Sequence, residues 1–335
     1  MATPTIYKTT STSPSLSQPK GIAVDTDLHR LIICDSGNNR LTWCHIDGIN
    51  QISTKSTYNG NSFSAPSGAL YHKGYYYVAD TGNHVVIRLR ARDLAYKDKF
   101  GTVGTSGATN ALLNSPTGLT TDGIYLYVCD TGNGRIMKLK LDDLSYYAKT
   151  SAINGNLTSP LDIDYKRRGG EALFISDNGG GRIIKCQTDF TYIEQNSLSV
   201  AVPNMLVYHN DMVYICNQTL ATDNIVVLAS DGLTWLTTFS DSTVVIDIPY
   251  GIATYRNALL ITDFNNNRVT VWKAYDPRDA FDTDTVAKFG GVFFDNPLII
   301  VGEDQLIVGA TQESGSPNRW VEENPNNYSI GWVEE

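Results

Sequence analysis

An acid-led turn recurs along the chain: CDSGNNR at 34–40, ADTGNHV at 79–85, CDTGNGR at 129–135, SDNGGGR at 176–182 and TDFNNNR at 262–268. One copy would suggest a binding loop. Five copies at a near-constant period mean that one supersecondary unit is built repeatedly and stacked on its neighbours. A proline opens each unit, at Pro19, Pro66, Pro116, Pro160, Pro203, Pro249 and Pro297, and successive prolines stand 43 to 50 residues apart. Proline and acid are 14 residues apart in the units that end on Asp80, Asp130 and Asp263. In the units that end on Asp35 and Asp177, the stretches TDLHR and KRRGGE lengthen a turn between strands. The same offset falls on Asn217 in the fifth unit and on Thr311 in the seventh, so the acid is lost there.

Each unit continues from its proline through a short strand and a turn into an apolar run: LIIC, YYYVA, IYLYVC, ALFIS, MVYIC, LLIT and LIVGA. Continuous rather than alternating hydrophobicity marks a strand covered on both faces. The acid-led turn follows, then a third strand such as RIMKLKL and a fourth near the unit boundary; no long window keeps a helical period. This pattern predicts an all-β propeller in which each unit is one four-stranded blade. The residue before the acid is always small: Cys34, Ala79, Cys129, Ser176, Cys216, Thr262 and, in the decayed copy, Ala310. Where sheets converge on an axis, a large side chain would overpack at a cost of about 1–3 kcal/mol. Three cysteines fill this slot, and Cys44 and Cys186 share another four residues after their arginines, so all five read as small buried apolar groups.

ADTGNHV preceded by APSGALYHKGYYYV, and CDTGNGR preceded by SPTGLTTDGIYLYV, resemble NHL repeats, with Asn83-His84 as the Asn-His pair and Val85 in the third place. The resemblance runs over about residues 17–275 and implies a propeller. It implies no single activity, because one architecture hosts many. Similar propellers usually have six blades, whereas seven proline-led units predict seven here, with six as the alternative. The chain reads as one propeller domain over 1–335. Residues 1–18 form a closing strand and linker, 19–296 six NHL-like units, and 297–335 a degenerate last blade and tail. An open ring would expose sheet edges. The N-terminal IYKTTSTSPSLSQP matches the inter-unit segment YAKTSAINGNLTSP, so residues 5–10 are expected to close the last blade, in competition with the C-terminal YSIGWVEE.

Across 335 residues the net charge is −9 and the isoelectric point about 5.0, which argues against nucleic acid or an anionic membrane surface as a general partner. MATPTIYKTT has no apolar leader region, and no window approaches the ~18 apolar residues of a membrane span. Five cysteines without a C-x-x-C pair argue against a disulfide framework or structural zinc. Reduced thiols fit a cytoplasmic or virion protein; localisation is otherwise open.

The acid-led turn has a mechanical reading. Its aspartate would accept the N–H two residues on, glycine would supply positive φ, and asparagine tolerates the left-handed region. Arg40, Arg135, Arg182 and Arg268, five residues after the acid, would reach back to it or to a neighbouring turn. The D-x-G-N face also carries the linkers between blades, where loops vary without disturbing the sheets. Asn39, His84, Asn133, Arg135, Asn266 and Asn267 are therefore the candidate contact residues of a non-enzymatic scaffold for a protein partner or a small polar ligand.

Asp35, Asp80, Asp130, Asp177 and Asp263 would ring the channel mouth and suit Ca²⁺, which takes six to eight oxygens; the competing reading keeps each in its own turn. Some propellers of this resemblance are peptide-amidating lyases with histidine-bound zinc. His29, His45, His72, His84 and His209 are too dispersed for three to converge, so no catalytic residue is assigned. A calcium-dependent lactonase-like hydrolase is the enzymatic alternative, and a structural subunit of a virion or surface appendage the non-enzymatic one. Arg88, Arg90, Lys138, Lys140 and Lys185 are the best basic set, a weak basis for RNA binding on a negative chain.

Overall fold

The computed structural model describes residues 5–12, 15–46, 49–167, 169–197, 199–218, 224–239, 246–256, 258–275, 298–302, 305–312 and 320–322. The chain divides into two compact units, one of residues 6–274 and one of residues 1–5 with 275–335.

In the larger unit, five successive segments each form a four-stranded antiparallel sheet whose strands follow chain order, and a sixth segment contributes three strands in chain order to another such sheet. The first strands are Pro19–Asp25, Gly68–His72, Pro116–Thr121, Pro160–Lys166, Val202–His209 and Pro249–Tyr255. Each packs beside the next, and the last packs beside the first, so the sheets are blades of a closed ring. Between every two neighbours lies one apolar core. Blade one meets blade two through Ile32, Cys34 and Trp43 against Tyr76, Val78 and Ile87; blade six meets blade one through Leu260 and Val269 against Ile22, Leu31 and Ile33. This is why the second strands are apolar on both faces: each faces two cores.

The ring has six blades, not the seven expected. Thr262 Oγ1 in blade six donates to Lys20 O in blade one at 2.7 Å, and a Cβ on Gly251 would stand 2.1 Å from the same oxygen. Among the described residues, these two blades are in direct contact, as neighbours in the ring are elsewhere. In the smaller unit, Leu298–Gly302, Gln305–Gln312 and Trp320–Glu322 pair as an antiparallel three-stranded sheet. Pro297 and the YSIGWVEE tail lie outside the described residues. Among the described residues, no helix is long and apolar enough to cross a membrane.

The Pro-x-Gly start of the first strands serves this close approach. A Cβ on Gly21 would meet Ser67 O at 2.4 Å, and one on Gly68 would meet Thr117 O at 1.9 Å. The small residues before the acid, Cys34, Ala79, Cys129, Ser176, Cys216 and Thr262, are fully buried; the side chain of Ala310 lies outside those described. All five cysteines are free and buried, and burial pushes the Cys44 and Cys186 thiols up to about 12.

The D-x-G-N turn works differently from its expected Asx form. The acid does not cap its own turn; its Oδ1 accepts a backbone N–H from the linker entering the same blade. Ser17 N lies 2.7 Å from Asp35, Ser64 N 2.7 Å from Asp80, Asn114 N 2.6 Å from Asp130 and Asp247 N 2.8 Å from Asp263. Asn217 keeps the bond, to Ala201 N at 3.1 Å, although the charge is gone. The glycine two residues after the acid lets the linker come close: Gly37, Gly82 and Gly132 donate to the carbonyls of Ser17, Ser64 and Asn114. Positive φ falls two residues later, on Asn39, His84, Gly134, Gly181 and Asn267.

The Asx-turns stand at the other end of the blades, between third and fourth strands. Asp93, Asp143 and Asp189 accept the N–H two residues on at 3.1, 2.8 and 2.9 Å. The next residue, Leu94, Leu144 or Phe190, adopts positive φ, as does Leu233 in the equivalent turn. A leucine tolerates that left-handed geometry because it is buried beneath the blade, where its apolar contact offsets a strain of about 1–2 kcal/mol. The signal was present in DLAY, DLSY, DFTY and GLTW at 93–96, 143–146, 189–192 and 232–235.

Candidate functional site

The D-x-G-N face is built by the turns, the linkers and the starts of the first strands, since Pro19, Pro116, Pro160 and Pro249 pair with Asp35, Asp130, Asp177 and Asp263. The predicted arginines do reach back. Nε of Arg40, Arg135, Arg182 and Arg268 lies 2.6, 2.5, 3.0 and 2.7 Å from Oδ2 of its acid. Blade two has no such arginine, and Tyr58 from the linker donates to Asp80 at 2.6 Å instead. Burial first of all holds the Asp80 carboxyl above its usual range.

Each of the five acids thus has one oxygen on a linker N–H and the other on an arginine or tyrosine, with a side-chain amide from the turn at Asp35, Asp80, Asp130 and Asp263. Both oxygens are occupied by the linker and by side chains around the turn.

The six candidate contact residues lie in the same clamps. Asn39 accepts Ala65 N at 2.8 Å, His84 accepts Ser115 N at 3.0 Å and Asn267 accepts Gln18 N at 2.7 Å, each holding the linker of the next blade. Asn133 and Asn266 bond the acid of their own turn, and Arg135, nearly buried, also donates to Ala108, Thr109 and Leu112 carbonyls. These side chains lace the ring together.

The basic set is similarly engaged. Arg88, Lys138 and Lys185 are buried at equivalent places on the third strands of blades two to four. Each crosses to a carbonyl in the strand three–four turn of the next blade: Leu141 at 3.0 Å, Thr188 at 2.9 Å and Ser230 at 2.8 Å. Lys138 also sits over the rings of Tyr125, Tyr127 and Tyr147. Arg90 pairs with Asp93, which leaves Lys140 as the most exposed of the five. The histidines stay dispersed: His29 bonds Tyr255 OH at 2.7 Å, His72 ends the first strand of blade two, and His45 ends the third strand of blade one.

The inner strands hold a feature that the turn pattern did not reveal. Blade four carries Asp162 where blades one, two, three and six have glycine, with Asp164 two residues on. Both reach across to blade five: Asp162 Oδ2 accepts Leu206 N at 2.9 Å and Asp164 Oδ2 accepts Tyr208 N at 2.8 Å, while Thr120 of blade three donates to Asp164 at 3.1 Å. Burial raises Asp162 to about 8 and Asp164 to about 6.

The folded state therefore binds these protons more tightly than the unfolded chain, whose carboxyls sit near 3.8. Their contribution is fully present below that value and is lost as pH rises through the folded values. Thermal melts are expected to fall from pH 5 to pH 9, and Asp162→Asn, which keeps the acceptor and removes the titration, to flatten that decline. An unchanged slope in Asp162→Asn rejects the assignment.

The opposite end of the ring has another character. Among the described residues, eight large apolar side chains are exposed, and seven of them lie in or beside the strand one–two or three–four turns: Leu28, Ile52, Ile124, Tyr147, Tyr192, Ile193 and Trp235. Only Val202 is on the D-x-G-N side. Tyr147, Tyr192 with Ile193, and Trp235 occupy the start of the outer strands of the consecutive blades three, four and five. Exposed Asp142, Asp143, Asp189 and Asp231 stand in the turns just before them.

A sequence model of the NHL repeat matches residues 16–44, within blade one, and bears out the resemblance. No curated protein sequence matches the chain. Among solved structures, a streptogramin B lyase superposes with a TM-score of 0.56 at 12% identity, covering 82% of this chain and 98% of that one. A hydrazine synthase from Kuenenia stuttgartiensis gives 0.57 at 14%, covering 84% and 82%. A virginiamycin B lyase from Staphylococcus aureus gives 0.56 at 13%, covering 81% and 99%. At these identities the likeness is one of fold.

Proposed function

We propose that this NHL-type propeller is a non-enzymatic scaffold for a protein partner, and that the partner docks at the end opposite the D-x-G-N turns. The observation that carries this reading is the segregation of exposed apolar side chains. Among the described residues, seven of the eight stand at that end, whereas Asn39, His84 and Asn267 of the D-x-G-N face hold linkers. Tyrosine and tryptophan bring large, rigid contact area at low entropic cost and dominate protein interfaces. Carboxylates beside Tyr147, Tyr192 and Trp235 favour a basic segment, whose lysines or arginines would meet both charge and ring faces. The test is capture of a partner from the native cell extract by three proteins. Wild type and Asn39→Ala/Asn133→Ala should retain the partner, and Tyr147→Ser/Tyr192→Ser/Trp235→Ser should lose it without a lower melting temperature. Loss in the asparagine variant alone would place the contact on the other face.

Ring closure belongs to the same proposal. In the sixth sheet, Thr5–Thr12 stands outside Arg268–Tyr275, which supports the N-terminal strand as the fourth strand of that blade. Deleting residues 1–12 should lower the melting temperature by several degrees, as expected for about 1–2 kcal/mol in a domain of this size; an unchanged melt rejects this closure. The runner-up, a lactonase-like hydrolase, would draw its acid from Asp162 instead of the committed turn acids.

A further inference from the structure

The six first strands pack on one another around the axis, so the turns that follow them ring its mouth at the end opposite the D-x-G-N turns. Three of these turns carry an exposed cation: Lys73 in blade two, Arg167 in blade four and Arg256 in blade six. They stand on alternate blades. Among the described residues, none of the three pairs with a carboxylate or donates a side-chain hydrogen bond.

The backbone singles out two of them. His72 pairs with Tyr75, which leaves a two-residue turn in which Lys73 and Gly74 both take positive φ, 43° and 80°. Asparagine is the usual first residue of such a turn, and blade five has Asn210 there. The left-handed conformation costs a long side chain about 1–2 kcal/mol. Lys73 nevertheless holds it, as does Arg256 with φ 51° at the same place, after Tyr255. A turn that had only to reverse the chain would keep asparagine.

Arg167 follows Pro160–Lys166 and reaches over the turn of blade three: its Nη2 lies 4.0 Å from where a Cβ on Gly123 would stand. Its charge carries to blade two. The His72 imidazole is held below its ordinary value by burial, then by Lys73 and then by Arg167, so the two charges that bear on it are both positive. Acids in the neighbouring turns are bonded elsewhere. Asp27 accepts from Tyr71, Asp122 from Tyr127 and the N–H groups of Ile124 and Tyr125, and Asp211 from Tyr208.

We propose that Lys73 and Arg167, on either side of the Gly123 turn, bind a small phosphate-type oxyanion at this mouth of the axis. A guanidinium presents a planar fork and an ammonium a point charge. Coming from two blades, they suit a tetrahedral group whose oxygens point apart; a carboxylate, with two coplanar oxygens, is filled by the fork alone. Gly123, without a side chain, leaves the approach open. The site belongs to the innermost turns, apart from the aromatic rim on the outer strands, and does not depend on the docking reading.

The test follows the His72 ring protons in the intact chain, assigned with His72→Gln, during titration with inorganic phosphate and with glycerol 3-phosphate at constant ionic strength. A saturating shift with a Kd on the order of millimolar is expected. The His72 pKa should rise as the anion offsets the two cations. Lys73→Gln and Arg167→Gln should each weaken binding about tenfold. Arg92→Gln, which removes an exposed charge from the outer turn of blade two, should leave it unchanged. Tighter binding of the ester assigns a phosphate carried on a larger molecule, tighter binding of the free ion assigns phosphate itself, and both support the site. No saturation up to about 50 mM of either probe, or an equal response to acetate, overturns the proposal. Unchanged affinity in both Lys73→Gln and Arg167→Gln, or equal weakening in Arg92→Gln, does so too.

Discussion

Asp130→Ala should cost about 3–5 kcal/mol of unfolding free energy, read from urea midpoints at constant m. Asp130 is fully buried and carries the Asn114 N–H, the Asn133 amide and the Arg135 guanidinium. Removing the carboxylate leaves Arg135, which is 4% exposed, as an uncompensated buried charge between the linker and the third strand. The linker carbonyls of Ala108, Thr109 and Leu112 soften that loss without neutralising it. Arg40, at the equivalent place in blade one, is about a quarter exposed, so Asp35→Ala should cost less, because water can reach the abandoned guanidinium. Equal losses at the two positions, or less than about 1 kcal/mol at Asp130, would show that these turns do not hold the blades.

Gly68→Ala should prevent recovery of folded protein. The added Cβ would stand 1.9 Å from Thr117 O and 2.8 Å from Thr117 C, both backbone atoms of the next inner strand. Ordinary overpacking costs about 1–3 kcal/mol because side chains give way. Here relief requires moving a strand that is itself wedged against blade four, where a Cβ on Gly118 would meet Asp162. The ring transmits the displacement around its closed circuit. A soluble Gly68→Ala protein with a melting temperature near that of the wild type would overturn this account of the axis.

Much of this was legible in the residues, for reasons specific to each. The apolar runs predicted strands covered twice, because only a chain with cores on both faces can retain LIIC and IYLYVC. The arginine five residues after the acid predicted the ion pairs, because strands two and three bring those positions face to face. Other features depended on partners far along the chain. The D-x-G-N aspartate has two suitors, the N–H of its own turn and that of a linker 16 or more residues away, and local spelling cannot rank them. The Asx-turn was written elsewhere, in DLAY and DLSY, where a left-handed leucine is improbable until its burial is seen. Asn39, His84 and Asn267 recur at one place of the turn, and each holds the linker of the next blade, a partner that the turn's own spelling does not name. Tyr147, Tyr192 and Trp235 open successive outer strands, but only burial separates an exposed aromatic from a core one.

The repeat by itself determined the blade: its strands, its turns and the small residues at its inner edge, all set by contacts within about 50 residues. Blade number, the engagement of the polar turn residues and the location of the exposed apolar rim were decided by the tertiary structure. The reason is geometric. A proline-led unit states how one sheet is made, whereas the number that close a ring depends on the angle at which two sheets pack, summed until the first meets the last.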